Sequence, residues 1–79
     1  MEATQIKSME TIALNHNEIK REMKRRRGYG PYSYSRLIKR SPGAVTRLID
    51  GEIGGELRER FLKFFHFTEE EVPYRGWRK

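Results

Sequence analysis

The sequence predicts an all-α fold, a compact bundle of four to five short helices in one domain. Apolar residues recur at the three- and four-residue spacing of a helix in several short segments. Residues that cap helix N-termini stand directly before four of these segments, as Asn15, Ser33, Ser41 and Thr68 do. A chain of 79 residues can bury only a modest core, so we expect it to gain stability as a homodimer.

Composition excludes several classes of protein. Cysteine is absent, which excludes disulfides, thiolate metal sites and a cysteine nucleophile. Paired acids and bases, nucleophile constellations and glycine-rich phosphate loops are also missing, so we expect no enzyme, cofactor or metal. No apolar run approaches the roughly 20 residues that span a bilayer, and the N-terminus lacks a signal-peptide core. We therefore expect a soluble cytoplasmic protein with no membrane partner.

Residues 1–14 predict an N-terminal arm, an extra helix with a stripe of Ile6, Met9 and either Ile12 or Ala13, or a disordered leader, and they carry no functional signal. The first definite helix is expected to begin near His16, because Asn15 and Glu18 have the types and spacing of a capping box. Ile19 and Met23 are predicted to be the buried pair of this helix, and Gly28 is predicted to end it. The connector GYGPY then predicts a turn at residues 28–32.

Two short, tightly joined helices are predicted within residues 31–51. Ser33 can cap the first, and its apolar face consists of Tyr34, Leu37 and Ile38. Ser41 and Pro42 are start signals for the second. That helix buries Val45, Leu48 and Ile49, turns Gly43, Thr46, Arg47 and Asp50 outward, and stops at Gly51. Small residues and an arginine on an open helix face, beside a basic helix, are typical of a helix-turn-helix whose second helix enters the DNA major groove.

Two further helices are predicted after this pair. The fourth carries an apolar stripe that closes the core, made of Leu57, Phe61, Phe64 and Phe65. The fifth is expected to begin at Glu69, because Thr68 and Glu71 form a capping box, and to end at Pro73. The basic aromatic tail at residues 73–79 predicts a dimer contact through Tyr74 and Trp77, an arm on DNA, or an unstructured end.

Charge is distributed unevenly along the chain, whose formal net charge is +6. Residues 20–47 contain ten Lys or Arg and one acid, whereas residues 50–72 contain seven acids and three bases. This asymmetry predicts that the basic face of the protein binds a polyanion. The segment KRRRGYG also resembles an arginine-rich RNA-binding stretch, but a capped helix that leads straight into a second helix favours a folded scaffold.

Residues 34–51 resemble, without a gap, the helix-turn-helix of the Xre/Cro family, which includes the phage lambda-like repressors. Ser35 falls on the family's small inter-helix residue, and Val45 and Leu48 fall on the apolar positions of its recognition helix. Asp50-Gly51 matches the usual ending of that helix. The resemblance continues more loosely over about residues 19–72. Lys39 replaces a turn glycine, which predicts either a lysine near positive φ or a different turn.

The resemblance implies a DNA-binding domain at residues 15–72 with two classes of contact. The recognition helix, about residues 42–50, is expected to read bases through Gly43, Ala44, Thr46 and Arg47, because arginine can fork onto guanine and methyl groups can meet thymine. Phosphate contacts are expected from Arg26, Arg27, Tyr32, Ser33, Arg36, Lys39, Arg40 and Ser41. Tyr29 or Tyr32 either covers the core or reaches phosphate. Val72, Tyr74 and Trp77 are the expected dimer interface.

The expected function is therefore that of a transcriptional regulator. A repressor of this kind binds double-stranded DNA at an inverted-repeat operator as a homodimer, in association with the nucleoid. A protein antagonist is a further candidate partner. The alternative function is a protein-binding adaptor, such as an antirepressor or antitoxin, that uses the same helical fold to cover another protein.

Overall fold

The computed structural model describes residues 13–76, which form a small all-α bundle and so confirm the predicted fold class. Four helices occur in this range: α1 (His16–Arg27), α2 (Pro31–Ile38), α3 (Pro42–Ile49) and α4 (Gly55–Phe65). The predictions for residues 1–12 and for Trp77 lie outside the described residues.

The first helix begins and ends where its sequence predicts. The Asn15 side chain accepts a hydrogen bond from the Glu18 amide at 2.8 Å, and the Glu18 carboxylate accepts one from the Asn15 amide at 2.9 Å. Gly28 ends the helix with a φ of 76°. Ile19 and Met23 are fully buried, as predicted. Both ends are fixed by local interactions, which the sequence alone specifies.

The second helix begins at Pro31 rather than after Ser33, so the predicted Ser33 cap is wrong. Gly30 occupies the N-cap position in an extended conformation and makes no side-chain cap bond. Proline suits the first helical position because its φ is fixed near the helical value and its missing N–H is not needed there. Ser33 therefore lies within the first turn of α2 as an exposed residue.

The turn between α2 and α3 is short and well bonded. Lys39 adopts the left-handed conformation with a φ of 60°, the first of the two outcomes expected for a lysine at this position. The Arg40 amide donates to the Ser35 carbonyl at 2.9 Å. Ser41 then caps α3, because its hydroxyl accepts from the Ala44 amide at 3.2 Å. The predicted start of α3 at Pro42 is confirmed.

An aromatic cluster from α2 and α4 forms the centre of the core. The ring centroids of Tyr34 and Phe65 lie 5.0 Å apart, and those of Phe61 and Phe65 lie 5.4 Å apart. The predicted inward face of α3 packs into the same core, since Val45, Leu48 and Ile49 are buried. Leu37 is an incorrect core prediction, because its residue surface is 48% exposed.

The predicted fifth helix is a single turn instead. The capping box is present, since the Glu71 amide donates to the Thr68 hydroxyl at 3.1 Å and the Glu71 carboxylate accepts from the Thr68 amide at 3.0 Å. Residues 69–71 nevertheless form only a turn. Val72 is fully buried, and Pro73 has no N–H with which to extend a helix. The box therefore orients a turn that inserts Val72 into the core.

The chain after this turn returns to the end of α3. Backbone amides of Arg75 and Gly76 donate to the Gly51 carbonyl at 2.7 and 3.0 Å. The buried Arg58 of α4 donates to the Val72 carbonyl at 2.7 Å and holds the segment from the other side. Residues 73–76 therefore belong to the folded domain, although the tail was predicted to start at residue 73.

Candidate nucleic-acid interface

The N-terminal ends of three helices border one shallow groove of about 260 Å³. Pro31 and Tyr32 open α2 on one side, and Pro42 and Gly43 open α3 on the other. The remaining lining residues are His16, Lys20 and Thr46. The first amides of a helix lack partners within the helix, and its macrodipole is positive at that end. This groove therefore combines partial positive charge from the backbone with the charge of Lys20.

The outward face of α3 borders this groove. Gly43, Thr46 and Arg47 are exposed, and Ala44 is half-buried. These four residues are the predicted base-reading set, and they share α3 with the buried Val45, Leu48 and Ile49. Their exposure follows from the helical period, because the buried residues of α3 recur three and four positions apart and so occupy one side of the helix.

The C-terminal end of α3 is anchored to the start of α1. The His16 ring nitrogen Nδ1 lies 2.7 Å from the Asp50 carboxylate oxygen Oδ1, and both side chains are partly buried. Asp50 was predicted to face outward with the base-reading residues. Its hydrogen bond instead fixes the orientation of α3 relative to α1.

Most of the predicted phosphate-binding side chains are exposed near the groove or along α2 and its following turn. Tyr32 is 72% exposed, whereas Tyr29 packs edge-on against Phe64 with the ring centroids 5.5 Å apart. Tyr29 thus covers the core, and Tyr32 is the tyrosine left for an external partner. The other exposed members are Ser33, Arg36, Lys39, Arg40 and Ser41.

Arg26 was predicted to bind phosphate, and this prediction is wrong, because its guanidinium is occupied by contacts within the fold. Its Nη1 donates to the Phe65 and His66 carbonyls at 3.2 and 2.9 Å, and its Nη2 lies 3.3 Å from the Glu71 carboxylate. The group also stacks over the Phe67 ring at 4.6 Å. A side chain with these contacts links α1 to the C-terminal end of α4.

Arg27 remains exposed, but it stacks on α4. Its guanidinium carbon lies 4.3 Å from the ring centroid of Phe64. Cation–π contact of this kind leaves the N–H groups at the edge of the guanidinium available to an anion. The predicted phosphate role of Arg27 thus depends on an anion that approaches beside α4.

Glu22, one of the two acidic residues of α1, pairs with neighbouring arginines of the same helix. The hydrogen bond from Arg25, followed by that from Arg26, lowers the pKa of Glu22 to about 2. Glu22 lies with Arg21 and Glu18 along one edge of α1, whereas Lys20 lies with His16 along the edge at the groove. Negative charge on α1 is thus kept away from the groove.

Two groove residues, His16 and Lys20, were absent from the predicted sites. Their signal was available in the sequence, because residues four apart share one side of a helix. What the sequence did not specify is which side of α1 faces the ends of α2 and α3, since the pairing of helices is a tertiary property.

Comparison of the chain with protein-family models, curated proteins and solved structures found no match. The geometry of the site must therefore be interpreted from its own residues. Over residues 13–76, none of the helices is both long and apolar enough to cross a membrane. The same range contains no group of three or more His, Cys, Asp or Glu side chains placed to hold a metal ion.

The three predicted dimer residues have different outcomes. Val72 is fully buried inside its own subunit, so it cannot line an interface. Tyr74 is 56% exposed, although its ring also borders Gly54 and lies 5.7 Å from the Arg58 guanidinium. Trp77 lies outside the described residues. Tyr74 is therefore the one predicted dimer residue with described, accessible surface.

Proposed function

We propose that the chain is a sequence-specific, double-stranded DNA-binding transcriptional regulator, a repressor that inserts α3 into the major groove. One observation carries the proposal. Gly43 and Thr46 of the exposed face of α3 line the groove on which the N-terminal ends of α2 and α3 converge, and Arg47 is exposed on the same helix. In a helix-turn-helix this arrangement offers side chains to bases and helix ends to phosphates.

The side chains around α3 fit these two tasks. Arginine can donate two hydrogen bonds to guanine O6 and N7, which makes Arg47 the residue expected to choose sequence. Tyr32, Lys20 and Lys39 are expected to hold the backbone and to set the register. Small residues at Gly43 and Ala44 allow close approach but contribute few hydrogen bonds, so part of the preference is expected to come from DNA shape.

The proposal includes a homodimer on an inverted repeat, with half-sites about one helical turn apart. A single copy with about five phosphate contacts binds weakly at physiological salt, and two copies double the contacts. Tyr74 and the tail beyond it are the proposed region of subunit contact. The proposed place of action is the cytoplasm, on nucleoid DNA, where a protein antagonist could control it.

The first test selects binding sites for the full chain from a random duplex library at near-physiological salt. An enriched, two-fold symmetric motif is expected. Arg47→Ala should then lose about 1–3 kcal/mol of discrimination at one base pair of each half-site, because the fork onto guanine is gone. Relative affinities for the motif and its single-base variants measure this loss.

Lys39→Ala is the matched control for Arg47→Ala. Both variants remove one exposed positive charge, but Lys39 lies in the turn and is expected to contact phosphate only. Its affinity should fall about equally for all sequences. A library that yields no motif, or an Arg47→Ala protein with an unaltered preference, would favour the alternative function, a protein-binding adaptor of the antirepressor or antitoxin kind.

A further inference from the structure

We propose a second interaction surface, an apolar groove between α2 and α4 that binds an acidic, amphipathic helix of a partner protein. The groove is lined by Tyr34, Leu37, Ile38, Arg60, Lys63 and Phe64 and has a volume of about 370 Å³. Leu37, which its helical spacing predicts to be buried, is 48% exposed there. A large apolar side chain beside partly exposed neighbours marks a surface that gains free energy when covered.

The groove is large enough to hold a few side chains of a partner, but not an entire helix. A dry apolar cavity of about 150 Å³ holds one benzene ring, so this groove has room for about two aliphatic or aromatic side chains. An amphipathic helix presents such anchors three or four residues apart on one face. We therefore expect the ligand to be a helix with apolar anchor residues at that spacing.

Charge defines the remaining chemistry of the partner. Two of the six lining residues, Arg60 and Lys63, are cationic and none is acidic. A third cation contacts a lining residue, because the Arg27 guanidinium stacks on Phe64. A positive rim around an apolar floor favours glutamate or aspartate next to the anchors.

The chain's own terminal segments do not have this chemistry. The sequence after Gly76 is WRK, whose two cations would be repelled by the rim. Residues 1–12 contain two glutamates and one lysine, which leaves little negative charge. Neither of these two segments is therefore the expected occupant, which should carry more negative charge.

This groove is distinct from the proposed DNA-binding surface. Tyr32 borders the groove at the helix N-termini, whereas Leu37 borders the groove between α2 and α4. Five residues of an α-helix place them about 140° apart around α2. A partner helix can therefore bind while α3 contacts DNA.

The test uses a displayed library of random 14-residue peptides and the full-length protein. Peptides are selected on the wild type and counter-selected on Leu37→Glu, whose new charge opposes both the apolar anchors and their acidic flanks. The recovered peptides should carry apolar residues three or four apart, bear net negative charge, and bind the wild type at least tenfold more tightly than Leu37→Glu in fluorescence anisotropy.

Charge reversal supplies an independent measurement. The double variant Arg60→Glu, Lys63→Glu should bind the acidic peptides at least tenfold more weakly than the wild type. Selection on this variant should instead recover peptides that bear lysine or arginine. Circular dichroism checks that each variant is folded. DNA preference should be the same in Leu37→Glu as in the wild type, so failure here leaves the proposed DNA-binding function standing.

Several results would overturn this inference. One is a library without any peptide that distinguishes wild type from Leu37→Glu, and another is a set of peptides with no excess of acidic residues. Sedimentation that shows a wild-type dimer lost in Leu37→Glu would make a second copy the occupant. Peptides that bind only after Ile6, Met9 and Ile12 are replaced by serine would make the N-terminal segment the occupant.

Discussion

Two neighbouring arginines of α1 have opposite surroundings. The Arg25 side chain is 67% exposed and pairs with Glu22, whereas the Arg26 side chain is 20% exposed. Arg26 in addition donates to the two carbonyls that end α4. Unpaired carbonyls at a helix C-terminus cost free energy unless another group satisfies them. Arg26 therefore acts as a C-terminal cap from a distant helix.

We predict that Arg26→Ala lowers the free energy of unfolding by about 1.5–3 kcal/mol, the range for hydrogen bonds that involve a charged group. Arg25→Ala should cost much less than Arg26→Ala, because exposed ion pairs contribute little. Urea unfolding measures both. Equal losses in the two variants, or a weaker salt dependence of DNA binding in folded Arg26→Ala, would contradict the structural role assigned to Arg26.

Two glycines with nearly equal φ differ in the space around them. Gly51 and Gly55 have φ values of 77° and 75°. A Cβ at Gly51 would lie 2.1 Å from the Pro73 carbonyl oxygen, whereas a Cβ at Gly55 would meet nothing within 4 Å. The pair thus separates the cost of a left-handed backbone from the cost of a steric clash.

Gly55→Ala should lower the free energy of unfolding by up to about 1.5 kcal/mol, because the strain of a left-handed alanine, about 1–2 kcal/mol, is partly offset by its smaller loss of chain entropy. Gly51→Ala should lower it by about 1–3 kcal/mol more, because the added Cβ overpacks against Pro73. Thermal and urea unfolding measure the difference. If the two variants are equally stable, residues 73–76 do not pack on Gly51 as described.

At the scale of elements, the α2–α3 turn combines strain with positive charge. Lys39 has a φ of 60°, a conformation that costs a residue with a side chain about 1–2 kcal/mol. Glycine would remove this strain. Because glycine loses more conformational entropy on folding, roughly 0.5–1 kcal/mol of that gain in stability would be lost again. Lysine at this position supplies a positive charge that glycine would lack, and the proposed use of that charge is a contact with DNA phosphate.

Lys39→Gly should therefore raise the free energy of unfolding by up to about 1.5 kcal/mol while it weakens DNA binding. One lost phosphate contact reduces the slope of log affinity against log salt by about 0.9 for each subunit. His66→Gly is the matched control, because exposed His66 has the same φ of 60° at the end of α4. It should be stabilised without any change in DNA binding. A Lys39→Gly protein with unchanged affinity would remove Lys39 from the interface.

Helix boundaries were predictable where the signal is local. The bounds of α1 and the start of α3 depend on side chains that bond their own first turn, at Asn15 and Ser41. The start of α2 was missed because glycine before proline signals both a connector and a helix start. The capping box at Thr68 was correct, but the burial of Val72 and the return to Gly51 determine the path of the chain after that box.

Positions that depend on distant partners were not predictable. The carbonyls that Arg26 satisfies lie 39 and 40 residues further along the chain. Leu37 has the helical spacing of a core residue, yet the way α2 lies on α4 leaves it half-exposed. The lining of the groove by Lys20 likewise depends on which edge of α1 meets α2 and α3. Periodicity specifies a face of each helix, whereas packing specifies what that face meets.

At the scale of the whole molecule, positive charge is concentrated in the first three helices. The formal net charge is +6, although residues 50–72 carry an excess of acids. Pairing within the fold reduces the positive charge that is available to a partner, because Arg25 and Arg26 bind Glu22 and Arg26 also binds Glu71. The number of cations available to the proposed DNA-binding surface is therefore smaller than the sequence count.

Salt dependence measures that number directly. With about five phosphates per subunit, log affinity should fall with log salt at a slope of about −4 to −5 on a single half-site. On an inverted repeat the slope should be about twice as steep, because two subunits release counterions together. Fluorescence anisotropy between about 50 and 200 mM salt, on duplexes that differ only in the second half-site, makes the comparison. Equal slopes on the two duplexes would mean that one subunit binds alone, and the proposed dimer on a two-fold operator would then fail.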